Sequence, residues 1–234
     1  WYRSSLRVID IANPTALSEI GFSNMPKYAH GVTVAGSYAY VAVSDGLHVV
    51  DIANPAAPTE VGFCDTPGDA YSVAVAGSHA YVADGGSGLR VVNIANPATP
   101  SEVGFNDTPG YEHDVAVVGD YAYVAAYYSG LRVVNIANPA APTEVGFYDT
   151  PGGASGVAVV GNYVYVTDGY SGLRVLDITN PAAPTEVSSY DTSGRALGIA
   201  VIGSYAYIAD GDGGMVILRI TEIYTISGRV TSGG

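Results

Sequence analysis

Nine side chains carry most of the chemistry this sequence offers: Tyr28, His30, Asp69, Tyr71, Tyr111, Glu112, His113, Asp114 and Arg195. They cluster in MPKYAH (25–30), TPGDAY (66–71), TPGYEH (108–113) with the aspartate after it, and TSGRAL (192–197). Tyrosine beside carboxylate suits saccharides, because the ring covers a sugar's apolar face while the carboxylate accepts its hydroxyls. Asp69, Glu112 and Asp114 are also the residue type a glycoside hydrolase needs, with two carboxyls roughly 5–9.5 Å apart. His30, Glu112 and His113 are of zinc-ligand type. The two histidines stand two repeat units apart, however, and no metal is expected. DGDGG at 210–214 resembles the start of a calcium loop but lacks its later ligands. Asp84, Asp168 and Asp210 recur at one position, which fits a repeated Asx turn better than calcium, and no cofactor is expected. Cys64 has no partner pattern for a thiol nucleophile, and G-x-S-x-G, H-E-x-x-H and P-loop signatures are absent.

These residues are spaced by a repeat. Asn-Pro pairs begin at 13, 54, 96, 138 and 180, so the steps are 41, 42, 42 and 42. An internal period of this length decides the architecture before any local reading. Each period holds four extended runs rich in Val, Ile and Tyr. In one unit they are 114–118, 121–125, 131–136 and 143–148. Gly turns, the Pro-fixed NPAAP turn and DTPG separate them. No run has a 3.6-residue apolar period, so helix is not expected.

The second and third runs are apolar at both parities, as in strands covered on both faces. The fourth carries Glu144 behind Pro142, the mark of a guarded edge. Alternation along this fourth run predicts Glu60, Glu102, Glu144 and Glu186 exposed, and Val61, Val103, Val145 and Val187 buried between units. Three inner strands and one guarded outer strand per 42 residues describe a β-propeller blade. Four blades are complete, from 31 to 190, with a partial blade before and after them. The expected parent has six blades, with five as the alternative.

The pattern GLRVVNIANPAAPTEVG resembles the LVIVD repeat of bacterial and archaeal cell-surface proteins, over residues 5–220. That resemblance implies an exported or surface-borne propeller and no defined reaction. The propeller domain is placed at 1–220. Residues 221–234 form a linker or the first strand of an Ig-like or carboxypeptidase-regulatory-like module. The opening Trp1 suggests that further sequence lies upstream.

A net charge of −13 disfavours nucleic acid and anionic membrane surfaces, which need clustered cations. Direct membrane insertion is not expected, because no stretch reaches the roughly 18–20 apolar residues of a spanning helix. Arg7, Arg90, Arg132 and Arg174 recur in register and read as inter-blade packing or pairing groups, not a basic patch. In an up-and-down meander, NPAAP turns share one face, which hardly changes from unit to unit. The nine candidate residues share the other, which changes in every unit. Binding is expected on that variable face, with a surface polymer, glycan or protein as partner. The protein is read as a non-enzymatic extracellular or cell-surface scaffold; the alternative is a glycoside-hydrolysing propeller enzyme.

Overall fold

The computed structural model describes residues 4–220. The chain forms six antiparallel sheets in sequence order. The first pairs β1 (Ser5–Asp10) with β2 (Ser18–Asn24). Four four-stranded sheets follow. They are β3 (Ala29–Ala35), β4 (Tyr38–Val43), β5 (Gly46–Asp51) and β6 (Thr59–Asp65); then β7 (Ser72–Ala76), β8 (His79–Ala83), β9 (Leu89–Asn93) and β10 (Ser101–Asn106). Next come β11 (Asp114–Val118), β12 (Tyr121–Ala125), β13 (Leu131–Asn135) and β14 (Thr143–Tyr148), then β15 (Gly156–Val160), β16 (Tyr163–Thr167), β17 (Leu173–Asp177) and β18 (Thr185–Tyr190). The last sheet has β19 (Gly198–Ile202), β20 (Tyr205–Ala209) and β21 (Met215–Arg219). The sole helical element among the described residues is a 3₁₀ turn at Gly211–Gly213, within the calcium-like segment.

Each four-stranded sheet is one repeat, paired in chain order from its first strand to its fourth. First strands of successive sheets lie side by side: β3 with β7, β7 with β11, β11 with β15, and β15 with β19. The sheets thus stack face to face around their inner strands, as propeller blades do. Their inner strands are covered on both faces, so Tyr81, Val82, Ala83, Leu89 and Val91 are all buried. Each core cluster joins two neighbouring blades; one unites Tyr123, Leu131 and Val133 with Val157, Val166 and Leu176.

The constant face is fixed by two devices. Asparagine side chains close the Asn-Pro turns, as where Asn96 accepts from Ala98 N–H at 3.2 Å. The amide of Ile94 then donates to the Ser78 carbonyl at 2.8 Å, a bond repeated at Ile52, Ile136, Ile178 and Ile220. The turn of one blade also packs on the outer strand of the blade before. A Cβ added to Gly104 would strike the Pro139 carbonyl and come within 2.9 Å of the Ala140 carbonyl carbon. Gly21, Gly62 and Gly146 make the same approach to Pro55, Pro97 and Pro181. The fifth copy of this position is Ser188, and no Asn-Pro pair stands 42 residues after Asn180.

The outer strands correct one expectation. Val145 and Val187 are 36% and 42% exposed, and Val61 and Val103 are only half-buried. A β-bulge is the reason: Val133 pairs with Gly146 while Val134 pairs with Glu144, leaving Val145 as the unpaired extra residue. The bulge resets the alternation, so Glu144 and Phe147 share a side. Both meet Arg132, whose guanidinium lies 3.6 Å from Glu144 and 4.7 Å from the Phe147 ring centre. Glu60 and Glu102 are exposed as expected, but Glu144 and Glu186 are half-buried by these contacts. The arginines are pairing groups within their own blades: Arg90 meets Asp84, Glu102 and Asp107, and Arg174 meets Asp168, Glu186 and Asp191.

Candidate functional site

The variable face is built on loops that hold one another. Asp84, after the second strand of its blade, is fully buried and accepts from Thr66 Oγ1 and from Gly68 N–H at 2.8 Å. Asp210 does the same with Thr192 and with Gly194 N–H at 2.8 Å. Asp168 accepts from Gly152 N–H at 2.8 Å. These aspartates recur, as a repeated turn residue would, but their side chains tie the two loops of a blade together instead of closing their own turn. Backbone bridges then link each blade to the next: Gly85 with Glu112, Tyr127 with Ala154, and Gly169 with Ala196.

On this support stands a row of rings. His30, Tyr71 and His113 occupy one position in three successive repeats, and their rings touch in order, with centroids 4.7 and 5.2 Å apart. Tyr127 continues the row at 5.1 Å from His113, and Tyr128 lies 4.1 Å from Tyr127. Tyr111 flanks it, 5.5 Å from Tyr71 and 5.6 Å from His113. The Tyr71 and Tyr111 hydroxyls are 3.2 Å apart, and this bond, followed by burial, pushes the Tyr111 phenol up to about 12. Burial, with the charge of Arg195 nearby, lowers the pKa of His113, so its ring is neutral at pH 7. His30 is held to Ser44 Oγ at 2.9 Å.

The other expected residues divide. Tyr28 and Asp69 are exposed on this face, and Arg195 is half-buried in it. Glu112 is not on the surface. It is 0% exposed, neither carboxylate oxygen has a hydrogen-bond partner, and burial, reinforced by the charge of Asp84, raises its pKa well above the usual range. The other complete repeats and the last one carry Ala29, Ala70, Ala154 and Ala196 at this position. Asp114 is a latch across three blades, accepting from Ser72 Oγ at 2.6 Å, Val115 N–H at 2.9 Å and Val157 N–H at 2.9 Å. No group of three or more His, Cys, Asp or Glu side chains suited to a metal ion occurs among the described residues.

Three residues of the site are not among the expected nine: Tyr127, Tyr128 and Tyr170. Tyr127 has φ of 46°, the one non-glycine residue with positive φ among those described. Its counterparts in register are Gly85, Gly169 and Gly211, with φ of 54°, 58° and 54°. That column, glycine in the three other loops of this length, is the sequence signal for it. The Tyr127 ring lies against Gly153, where a Cβ would sit 2.6 Å from ring carbon Cε2. Tyr111 lies against Gly85 in the same manner. Tyr127, Tyr128, Tyr170 and Arg195 wall a cleft of about 400 Å³ floored by Gly152 and Gly153. The Arg195 guanidinium donates to the Tyr127 hydroxyl at 3.4 Å.

The LVIVD repeat matches the chain six times, over residues 3–24, 26–66, 67–108, 109–150, 151–192 and 193–222. Among solved structures, the crystal structure of the computationally designed Ika8 protein aligns with a TM-score of 0.72 at 11% identity. The alignment covers 93% of this chain and 65% of that chain, so this chain spans just under two thirds of its length. At that identity the likeness concerns the fold alone. No curated protein matches the chain in sequence.

Proposed function

From the premise that this chain belongs to the LVIVD-repeat family, we propose that it is a non-enzymatic propeller of an extracellular or cell-surface protein that binds a glycan through its variable face. The observation that carries the reading is the row His30–Tyr71–His113–Tyr127, four touching rings drawn from three repeats. Tilted rings held on interlocked loops offer stacking surface at little entropic cost. Asp69 and the exposed hydroxyls add hydrogen-bonding groups for sugar hydroxyls. A charge of −13 disfavours a polyphosphate partner. Among the described residues, no helix is long and apolar enough to cross a membrane.

The carboxylates support binding over hydrolysis. Glu112 is buried without access, and all the bonding of Asp114 is spent on Ser72 and two backbone amides. Asp69 is left without the facing partner that glycosidic cleavage requires. The test is a glycan array probed with the purified protein and with Tyr71→Ala/Tyr111→Ala. The double variant is expected to lose about tenfold or more in affinity, at about 0.5–1.5 kcal/mol per lost aromatic contact. Undiminished binding, or hydrolytic turnover abolished by Asp69→Asn, would overturn the proposal.

A further inference from the structure

Of the six arginines among the described residues, four pair with carboxylates, while Arg195 and Arg219 do not. Arg7, Arg90, Arg132 and Arg174 each meet at least one carboxylate within 4 Å. Arg195 meets none among the described residues, and its recorded side-chain bond is the long one to the Tyr127 hydroxyl. In a chain of net charge −13 an unpaired guanidinium in a cleft is conspicuous, because 22 acidic residues are available to neutralise nine basic ones. Its charge is felt locally, at His113.

The walls of that cleft are three tyrosines, and two of them, Tyr128 and Tyr170, are 80% and 82% exposed. An exposed ring gains nothing for folding, and Tyr127 adopts a backbone conformation that costs an L-residue about 1–2 kcal/mol. Gly152 and Gly153 also line it, and the Tyr127 ring is packed on Gly153. Aromatic walls and one planar cation define a chemistry: a six-membered sugar ring bearing a single carboxylate. The guanidinium fork matches a carboxylate with two parallel bonds, and tyrosine faces cover the apolar face of the ring.

We infer that the cleft between Tyr127, Tyr128, Tyr170 and Arg195 binds a uronic acid unit of a glycan, with Arg195 on its carboxylate. This rests on the saccharide-binding reading above and adds the charge of the unit that enters this cleft. A single carboxylate is compatible with an acidic protein, since charges beyond about 8 Å are screened at physiological salt while the contact with Arg195 is direct.

The experiment is a glycan array printed with matched pairs, each an oligosaccharide ending in one uronic acid and the methyl ester of the same oligosaccharide. The acids are expected to bind about tenfold more tightly than their esters, the scale of one charge-assisted hydrogen bond. Arg195→Gln should erase that difference while leaving thermal melting unchanged, and Tyr170→Ala should weaken acid and ester alike. Esters that bind as well as acids, or an acid preference that survives Arg195→Gln, overturn the inference and leave glycan binding standing. Failure of every glycan, neutral or acidic, to bind removes both.

Discussion

The third and fourth complete repeats can be laid over one another residue by residue, and their two ends behave oppositely. At the Asn-Pro end, Asn135–Ala141 reads NIANPAA and Asp177–Ala183 reads DITNPAA, with the same turn bonds at Ala140 and Ala182. At the other end, Ala126 stands for Asp168, Tyr127 for Gly169, Glu112 for Ala154, His113 for Ser155 and Asp114 for Gly156. Three of these exchanges act against folding. Ala126 forgoes the aspartate that elsewhere ties two loops, Tyr127 takes a glycine's backbone conformation, and Glu112 buries a carboxyl without a partner. Unfavourable choices gathered at one end of one repeat, beside its aromatic row, are what the proposed glycan site would require. The same contrast explains why the Asn-Pro end stays constant: its turn backbones press on the glycines of the blade before.

The sharpest break of this comparison lies at the constant end. Gly104→Ala is expected to cost about 3 kcal/mol or more, because its Cβ would meet rigid backbone at Pro139 and Ala140. Ser188→Gly, at the equivalent position where no Asn-Pro turn follows in the repeat frame, should change stability by about 0.5 kcal/mol or less. Urea denaturation of both variants checks the pair. Equal effects would mean that the glycines are not kept for close approach.

Much of this was legible in the sequence. Strand positions followed from Val/Tyr runs between Gly and Pro turns, because each strand is short and every turn recurs. The role of the arginines was legible because they recur in register with acidic residues. The bulge at Val145 was not, since an extra residue shifts the alternation without any change in residue type. Nor was the burial of Glu112, a charged residue type at a position buried as alanine at Ala70, Ala154 and Ala196. Tyr127 was legible in principle, from the glycine column it interrupts. Its ring reaches the row through a left-handed backbone, and residue type alone does not reveal that.

Glu112 gives the next largest effect, and its sign is fixed. Its folded pKa is raised above the unfolded value, so the folded state holds a proton that the unfolded state releases. The stability it contributes is therefore complete below the unfolded value near 4.5 and is lost as pH rises towards the folded pKa. Glu112→Gln removes this ionisation while keeping shape. Relative to the native protein, the variant should gain about 1–3 kcal/mol between pH 5 and pH 8, the scale of an unsatisfied buried group. Chemical melts at both pH values provide the difference. A difference that does not change with pH would mean that Glu112 finds a partner or solvent in solution, and would weaken the case that this end of the repeat is held against stability.

The smallest effect expected is on stability at Tyr127, and there the comparison with Gly169 is most direct. Tyr127→Gly gives the third repeat the residue found in register in the second, the fourth and the last. It relieves a left-handed backbone costing about 1–2 kcal/mol, and it forfeits ring contacts to His113 and Tyr128 worth about 0.5–1.5 kcal/mol each. It also adds the entropy of a glycine to the unfolded chain, about 0.5–1 kcal/mol. At their midpoints these terms leave a net loss of about 1 kcal/mol, so stability should fall by about 1–2 kcal/mol. Glycan affinity should fall about tenfold, because the row loses its link to the cleft at Arg195. The two readings respond in opposite ways to a packing role. A loss of stability well above 2 kcal/mol would make Tyr127 a structural residue, and its strained backbone would then need no ligand to explain it.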